Sequence, residues 1–122
     1  MNTTAPDNEL VGTLQAFKVK ANAHPRIPSL IKGWEPTIVL ESSDSGQRRY
    51  MRVQSGQIQA IGDEGDANAH TVHLRATDEV LQSVFDGRSN PAEAFLDGAL
   101  EIFATDKDQV KLDAISLVLW GA

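Results

Sequence analysis

Apolar residues recur at helical spacing near the start of the chain and alternate with polar residues further on. The first apolar positions are spaced three or four apart, as one face of a helix requires. They are Leu10, Leu14, Phe17 and Ala21. This pattern predicts a helix from Asn8, and Pro25 and Pro28 end it because proline lacks the backbone N–H that a continuing helix needs.

Four later segments have the apolar and β-branched composition of strands. They cover residues 37–41, 48–54, 57–60 and 70–76. Ser55-Gly56 is a two-residue connection of the kind that joins antiparallel strands, so the second and third segments form a hairpin. The first and second segments are also predicted to pair antiparallel, which makes the sheet mostly antiparallel.

Residues 77–87 carry the start and stop signals of a helix. Thr77 is placed as an N-cap, with Asp78 and Glu79 following it at the positive end of the helix dipole. Gly87 ends the helix because glycine adopts a left-handed conformation without a steric penalty. Four residues form the apolar stripe of this helix: Val80, Leu81, Val84 and Phe85.

A second short helix follows at once. Asn90 is its predicted N-cap, and Pro91 occupies the first helical position, where a missing N–H is no loss. Gly98 ends this helix. Phe95 and Leu96 are expected to face inward.

The chain then continues into a fifth strand and a strongly apolar tail. Residues 99–103 form the predicted strand, with Leu100 and Ile102 on one face, so both short helices fall between strands four and five. Thr105 caps a tail that is apolar over most of its circumference: Val110, Leu112, Ala114, Ile115, Leu117, Val118, Leu119 and Trp120. This tail is a helix that packs on the sheet or roofs a cavity, or it is a sixth strand, because residues 115–120 are also β-prone.

Composition and charge exclude several classes of protein. The 122 residues suffice for one domain with a single core. The formal net charge of -6 disfavours nucleic acid, whose binding depends on neutralising phosphates. No apolar run is long enough to span a membrane, and the first residues lack the basic start and apolar stretch of a signal peptide, so stable membrane insertion is not expected and the cytoplasm is the predicted compartment.

The side chains that could carry chemistry form no convincing catalytic or metal site. His70 and His73 are three apart on a strand, so their rings point to opposite faces. Without a bulge in the strand they cannot share an ion with the nearby acids Asp63, Glu64 and Asp66. That acidic, glycine-containing loop is expected to be flexible, and it lacks the lysine of a phosphate-binding loop. No serine has the surroundings of a nucleophile, and neither a metal nor an enzymatic activity is predicted.

Five arginines stand out against the acidic balance: Arg48, Arg49, Arg52, Arg75 and Arg88. If several of them meet on one edge, they could hold a lipid head group or the phosphates of an acyl-coenzyme A by bidentate hydrogen bonds. A solvated face of the sheet explains them equally well.

One ordered set of residues runs through the central stretch and into the fifth strand. It consists of Asp78, Leu81, Gly87, Asn90, Pro91, Ala94, Phe95, Leu96, Gly98, Leu100, Glu101 and Ile102. This order resembles the signature of the sterol carrier protein-2 family of small lipid-binding domains, in which a Gly-x-x-Asn-Pro turn precedes Ala-Phe, a glycine and an amphipathic strand. The resemblance implies an α+β fold, with a five-stranded mostly antiparallel sheet and helices covering one face around an apolar cavity. Residues 1–8 are predicted to be a disordered segment, and residues 9–122 a single domain of this type.

The function that the resemblance implies is that of a non-catalytic intracellular carrier without a cofactor. Its ligand would be a fatty acid, an acyl-coenzyme A, a sterol or an isoprenoid, held by desolvation of its apolar part. The predicted ligand-binding residues are Leu81, Val84, Phe85, Phe95, Leu96, Leu100, Ile102, Ile115, Val118, Leu119 and Trp120. The alternative is an interaction module, in which the apolar tail packs on a second copy or on a partner enzyme and no cavity exists.

Overall fold

The computed structural model describes residues 6–62 and 70–121, which form a five-stranded sheet covered on one face by helices. In chain order the elements are α1 (Pro6–Ala23), α2 (Ile27–Leu30), β1 (Thr37–Ser42), β2 (Arg48–Gln54), β3 (Gln57–Gly62), β4 (Thr71–Ala76), α3 (Asp78–Phe85), α4 (Pro91–Leu96), β5 (Glu101–Phe103) and α5 (Asp106–Trp120). The predicted α+β class and the number of strands are confirmed.

The strands lie side by side in the order β3-β2-β1-β4-β5. Antiparallel pairing joins β1 to β2, β2 to β3 and β4 to β5, whereas β1 and β4 run parallel. The parallel pair arises because the chain leaves β3 at one edge and returns to pair on the far side of β1. The sheet is therefore mostly antiparallel, as predicted. Residues 63–66 of the predicted acidic loop lie outside the described residues.

Helix α1 has its predicted apolar stripe turned into the core. All four predicted residues of the stripe are buried: Leu10, Leu14, Phe17 and Ala21. The helix ends at Ala23, before Pro25, but it begins at Pro6, earlier than predicted. The helix therefore includes residues 6–8 of the segment that the sequence predicts to be disordered. Residues 1–5 lie outside the described part of the chain, and the limits of the domain remain predictions.

The turn between β2 and β3 has the predicted two-residue form. Ser55 has a φ of 56° and Gly56 a φ of 72°, the left-handed conformations that let a hairpin follow the twist of its strands. A side chain at Gly56 would also approach the carbonyl oxygen of Pro28 to 3.1 Å. Glycine therefore serves both the turn and its close contact with α2.

Helix α3 begins and ends as the sequence predicts. The hydroxyl oxygen of Thr77 accepts a hydrogen bond from the N–H of Val80 at 3.2 Å. Gly87, with a φ of 92°, follows the end of the helix. Leu81 and Val84 are buried in the core together with Phe85, which confirms the apolar stripe.

Helix α4 has the predicted cap, but its large apolar side chains are not buried. Asn90 Oδ1 accepts a hydrogen bond from the N–H of Ala92 at 2.8 Å. Phe95 is 40% exposed and Leu96 is 81% exposed, so the expectation that both face inward was wrong in that neither is buried in the core. The physical reason is that α4 packs mainly on α5, with the small Ala94 turned to the core.

Strand β5 is shorter than predicted and covers three residues instead of five. The N–H groups of Ala99 and Leu100 both bond to the carbonyl oxygen of Ala94, at 2.9 and 3.1 Å, so the chain is still turning out of α4 at these positions. Leu100 and Ile102 nevertheless lie on the inner side, as predicted.

The apolar tail is the helix α5 and not a sixth strand. The hydroxyl oxygen of Thr105 accepts a hydrogen bond from the N–H of Asp108 at 3.2 Å, which starts the helix as a standard N-cap. The helix packs mainly on α2 and α4. Within the described residues, no strand is among the main packing partners of α5.

Candidate functional site

The first turn of α5 is attached to the rest of the fold by a buried carboxylate. Asp108 is 3% exposed, and its Oδ1 accepts a hydrogen bond from Trp34 Nε1 at 2.7 Å. His70 Nε2 lies 2.9 Å from the same oxygen. One turn later, Lys111 Nζ donates to the carbonyl oxygen of Leu30 at 2.8 Å, which ties α5 to the end of α2.

These contacts also set the charge of Asp108. Burial by itself raises the pKa of this carboxyl, but the hydrogen bonds from Trp34 and His70 stabilise the charged form and outweigh it, so the pKa is lowered from its ordinary value. Asp108 is therefore a carboxylate in the folded protein over the physiological pH range.

The last turn of α5 is attached by an aromatic side chain. Trp120 Nε1 donates to the carbonyl oxygen of Val84 at 2.8 Å. The indole ring stacks on Phe17 with a centroid distance of 5.5 Å and meets Phe85 edge-on at 6.3 Å. Asn90 Nδ2 adds a hydrogen bond to the carbonyl oxygen of Gly121 at 3.3 Å.

Between its two attached ends, α5 spans an apolar cavity. Asp108 is the one fully buried residue of this helix, and its inward apolar side chains are only half-buried. They face a cavity of about 340 Å³ that separates α5 from the sheet. The helix is attached at both ends, and the cavity lies beneath the stretch between them.

The described residues that line this cavity come from every layer of the fold. Only Gln109, Asp113 and Ser116 among them have polar side chains, apart from the indole groups of the two tryptophans. The lining is formed by Phe17, Ala21, Ile27, Ile31, Trp34, Ile38, Met51, Val53, Ile58, Leu74, Val84, Phe85, Pro91, Ala92, Phe95, Leu96, Leu100, Ile102, Gln109, Leu112, Asp113, Ile115, Ser116, Leu119 and Trp120.

The cavity opens between α4 and α5. Four of the lining residues are exposed to solvent, and all of them belong to these two helices: Ala92, Phe95, Leu96 and Asp113. The lining residues of α1, α2 and β1 to β4 are buried. The cavity thus has a buried floor and a rim that reaches solvent.

Nine of the eleven predicted ligand-binding residues line the cavity. They are Val84, Phe85, Phe95, Leu96, Leu100, Ile102, Ile115, Leu119 and Trp120. Leu81 is a fully buried core residue, and Val118 packs against the core from the partly buried side of α5; neither is among the lining residues. That any of the eleven residues contacts a ligand stays a prediction.

The floor of the cavity is the part that sequence reasoning missed. It consists of residues from α1, α2, the segment before β1 and the inner face of the sheet, such as Phe17, Trp34, Met51 and Leu74. The alternation within each strand does indicate which residues face the helices. It does not indicate which of those residues meet a void and which meet another side chain.

Three of the five arginines pair with acidic side chains. A fourth, Arg49, is buried and donates to Gln47 Oε1 at 2.7 Å. Arg48 lies 3.8 Å from Glu41, and Arg75 bridges Glu101 at 2.9 Å and Glu41 at 3.8 Å. These residues are neighbours in the sheet register and form a row of alternating charge across the face that the helices leave uncovered. Arg88, in the turn after α3, pairs with Asp86 at 2.7 Å.

The histidines also have separate partners, as their spacing predicts. His73 Nε2 lies 2.7 Å from Glu41 Oε1 on the uncovered face, whereas His70 reaches Asp108. Within residues 6–62 and 70–121, no cluster of three or more histidine, aspartate or glutamate side chains could hold a metal ion. The three loop acids that were considered with these histidines, Asp63, Glu64 and Asp66, are outside that range.

A partly open, largely apolar cavity between a sheet and its covering helices is the arrangement of a small-molecule-binding domain. The sequence profile of the SCP-2 sterol transfer family matches residues 14–103. The chain therefore belongs to this family. No curated protein sequence matches the chain at a significant level.

Solved structures share the fold at low sequence identity. The sterol carrier protein domain 2 of Helicoverpa armigera is 14% identical with a TM-score of 0.68, and the match covers 100% of this chain and 97% of that one. A crystal structure of sterol carrier protein 2 is 20% identical with a TM-score of 0.63, covering 89% and 94% of the two chains.

A third similar structure is an enzyme many times longer than the matched region. A double mutant of the sec-alkyl sulfatase PisA1, from Pseudomonas sp., is 14% identical with a TM-score of 0.63. The match covers 95% of this chain but only 16% of the sulfatase chain. The same fold thus occurs as a small part of a large enzyme.

Across the described residues, no helix of this protein has the length and apolarity to cross a membrane.

Proposed function

We propose that this protein is a non-catalytic carrier that holds a long apolar molecule in the cavity beneath α5. The observation that carries the proposal is the cavity itself, with about 340 Å³ of space and a lining that is almost entirely apolar. This volume lies within the range of about 300 to 1,000 Å³ that ligand pockets occupy. Membership of the SCP-2 sterol transfer family supports the same function.

The driving force of such binding is the removal of apolar surface from water. Each buried methylene group contributes about 0.8 kcal/mol, so a chain of about ten methylenes supplies enough free energy for micromolar affinity. Phe95 and Leu96 lie at the exposed rim, where a bound chain would cover apolar surface that otherwise faces water.

The test begins with the protein as purified, without added ligand. Native mass spectrometry is expected to detect one retained lipid per chain. Protein freed of that lipid is expected to bind N-phenyl-1-naphthylamine, an uncharged apolar fluorophore, with one site and micromolar affinity. A protein that retains no lipid and binds no fluorophore would overturn the proposal.

Two variants of α5 assign the binding to the cavity. Ile115→Trp places a large ring in the cavity and is expected to lower the affinity for the fluorophore at least tenfold. Leu117→Trp introduces the same ring two residues away, at a position that is 58% exposed and does not line the cavity. Equal loss of affinity in both variants would show that the fluorophore binds elsewhere.

A second candidate function, that of an interaction module, is favoured by the exposed apolar side chains on α4 and α5. Leu96 and Leu117 are joined there by Val110, which is 69% exposed. The cavity contradicts the form of this hypothesis in which no internal space exists. Light scattering separates the two functions. A carrier without a partner surface is expected to be monomeric, whereas an interaction module that pairs with a second copy through its exposed apolar side chains is expected to be a dimer.

A further inference from the structure

The mouth of the cavity is the place where the polar end of a bound amphiphile lies. The lining residues of α1, α2 and the first four strands are buried, whereas the exposed lining residues belong to α4 and α5. A ligand that places its apolar chain against the buried floor therefore keeps its head group at the mouth, in contact with water. The charges at the mouth determine which head group is favoured.

Asp113 is the one charged side chain among the described lining residues. Its neighbours on the helix surface, three and four residues further on, are Ser116 and Leu117. Ser116 lines the cavity, whereas Leu117 is 58% exposed and does not. Asp113 is itself exposed, so it lies at the boundary between the cavity and solvent.

The carboxylate of Asp113 has no partner within residues 6–62 and 70–121, where it takes part in no hydrogen bond or ion pair. Other acids of the protein are compensated. Glu41 and Glu101 pair with arginines of the sheet, and Asp108 accepts hydrogen bonds at the first turn of α5. A head group at the mouth therefore meets a negative charge that the described residues leave uncompensated.

The nearest basic side chains are turned away from the mouth or paired. Lys111 donates to a carbonyl oxygen at the end of α2 and does not line the cavity. Lys107 is six residues before Asp113, which is about 1.7 turns, so it lies on another side of α5. Arg88, in the turn before α4, pairs with Asp86 at 2.7 Å.

Helix α4, on the other side of the mouth, adds no positive charge. Its six residues include the exposed Glu93, and the exposed Asp97 follows its last residue. The helix is only about 9 Å long, close to the distance of about 8 Å over which salt screens charges at physiological ionic strength. Both walls of the mouth are therefore acidic.

We propose that the cavity preferentially binds an apolar chain that carries a positively charged head group, such as a long-chain amine, with Asp113 as the counter-ion at the mouth. This inference rests on the proposed carrier function and names the class of head group within it. An exposed ion pair strengthens binding by up to about fivefold, and a carboxylate or phosphate at the same place is repelled to a similar extent.

Three ligands with the same twelve-carbon alkyl chain test the inference on the unmodified protein. They are dodecylamine, 1-dodecanol and tridecanoate, used below their critical micelle concentrations to displace bound N-phenyl-1-naphthylamine at pH 7.4. Dodecylamine is expected to bind about tenfold more tightly than tridecanoate, and this preference should shrink in 0.5 M NaCl. Tridecanoate binding as tightly as the amine would overturn the inference.

Two variants that remove the same charge assign the preference to a residue. Asp113→Asn is expected to weaken dodecylamine binding about fivefold, to strengthen tridecanoate binding several-fold and to leave dodecanol binding within twofold. Asp97→Asn is the matched control, because Asp97 is also exposed and follows the rim residue Leu96 but does not line the cavity. It should change each affinity less than twofold. Equal effects of the two variants would overturn the role of Asp113.

The outcomes separate this inference from the carrier function. Absence of fluorophore binding by the unmodified protein would defeat the carrier function. Fluorophore binding without a preference for the amine over the carboxylate would defeat only the head-group preference. Both substituted side chains are exposed, and the comparison of ligands on the unmodified protein remains decisive if a variant fails to fold.

Discussion

Helices α3 and α5 start in the same way and are buried to very different extents. Both have a threonine N-cap followed by acidic residues in the first turn, and both are rich in apolar side chains. In α3 the apolar residues Leu81, Val84 and Phe85 are buried, whereas in α5 the buried residue is the charged Asp108. Local capping therefore decides where a helix begins, but it does not decide whether that helix becomes part of the core.

The difference follows from what each helix rests on. α3 packs on α1 and on strands β1 and β4, so its side chains fill the space between those elements. α5 packs mainly on α2 and α4 and is held by Asp108 at one end and Trp120 at the other. Because α5 is held in this way, a cavity lies beneath it, and most of its apolar side chains are only partly buried.

The largest expected effect comes from cutting back the same side chain in the two helices. Leu81→Ala removes a fully buried side chain and is expected to lower the free energy of unfolding by about 3 kcal/mol. Leu112→Ala removes a half-buried side chain that already borders a cavity, and is expected to cost about 1 kcal/mol or less. Urea denaturation measures the free energy of unfolding of both variants. Equal losses would contradict the conclusion that α3 is packed into the core and α5 borders a cavity.

The second prediction concerns the buried carboxylate. Asp108→Asn is expected to lower the free energy of unfolding by about 2 kcal/mol at pH 7, because it replaces charge-assisted hydrogen bonds with neutral ones. Since the pKa of Asp108 is lowered by folding, the stability it contributes is fully present above its ordinary pKa and is lost as the pH falls through the lower, folded-state value. The difference in stability between parent and variant should therefore shrink below about pH 4.

A second carboxylate, Asp44, also has a pKa lowered by folding, and its effect on acid stability must be separated from that of Asp108. The hydroxyl of Ser42 and other hydrogen bonds also lower the pKa of Asp44, which contributes to the acid sensitivity of both proteins. Comparing parent and variant cancels this contribution. A difference that stays constant down to pH 2 would contradict the role assigned to Asp108.

The third prediction addresses the other end of α5. Trp120→Phe retains an aromatic ring beside Phe17 and Phe85 but removes the N–H that bonds to Val84, so a loss of about 1 kcal/mol is expected. If ligand leaves by movement of α5, release of the fluorophore should also become faster, as measured by stopped-flow displacement. An unchanged release rate together with reduced stability would indicate that ligand leaves without movement of this end of the helix.

The smallest effect is expected on the outer side of α5. Leu117→Ser alters a side chain that is 58% exposed and outside the cavity, so the free energy of unfolding should change by no more than about 0.5 kcal/mol. Fluorophore affinity should not change. A larger loss of stability that depends on protein concentration would reveal a dimer that buries this face.

The parts of the fold that the sequence predicts well are those set by local chemistry. Thr77, Asn90 and Thr105 cap their helices as predicted because each side-chain oxygen serves an N–H two or three residues away. The Ser55-Gly56 turn is predictable for the same reason. Phe95 illustrates the limit, because its inward placement was inferred from apolarity alone while its actual exposure depends on where α5 lies.

The cavity shows the same division. The sequence singled out the apolar tail but left three alternatives open for it: a helix packed on the sheet, a helix that roofs a cavity, or a sixth strand. The floor of the cavity and the contacts that hold α5 in place could not be predicted. Trp34 and Asp108, for example, are 74 positions apart, and nothing in their local sequence pairs them.

The sequence by itself determined the helix caps, the strand segments, the hairpin turn and the family, because each of these depends on residues that are close together in the chain. Only the tertiary structure decided that α5 would be attached through Asp108 and Trp120 with a cavity beneath the stretch between them. The reason is that a void is defined by the distance between elements, and that distance is fixed by contacts between residues far apart in the chain.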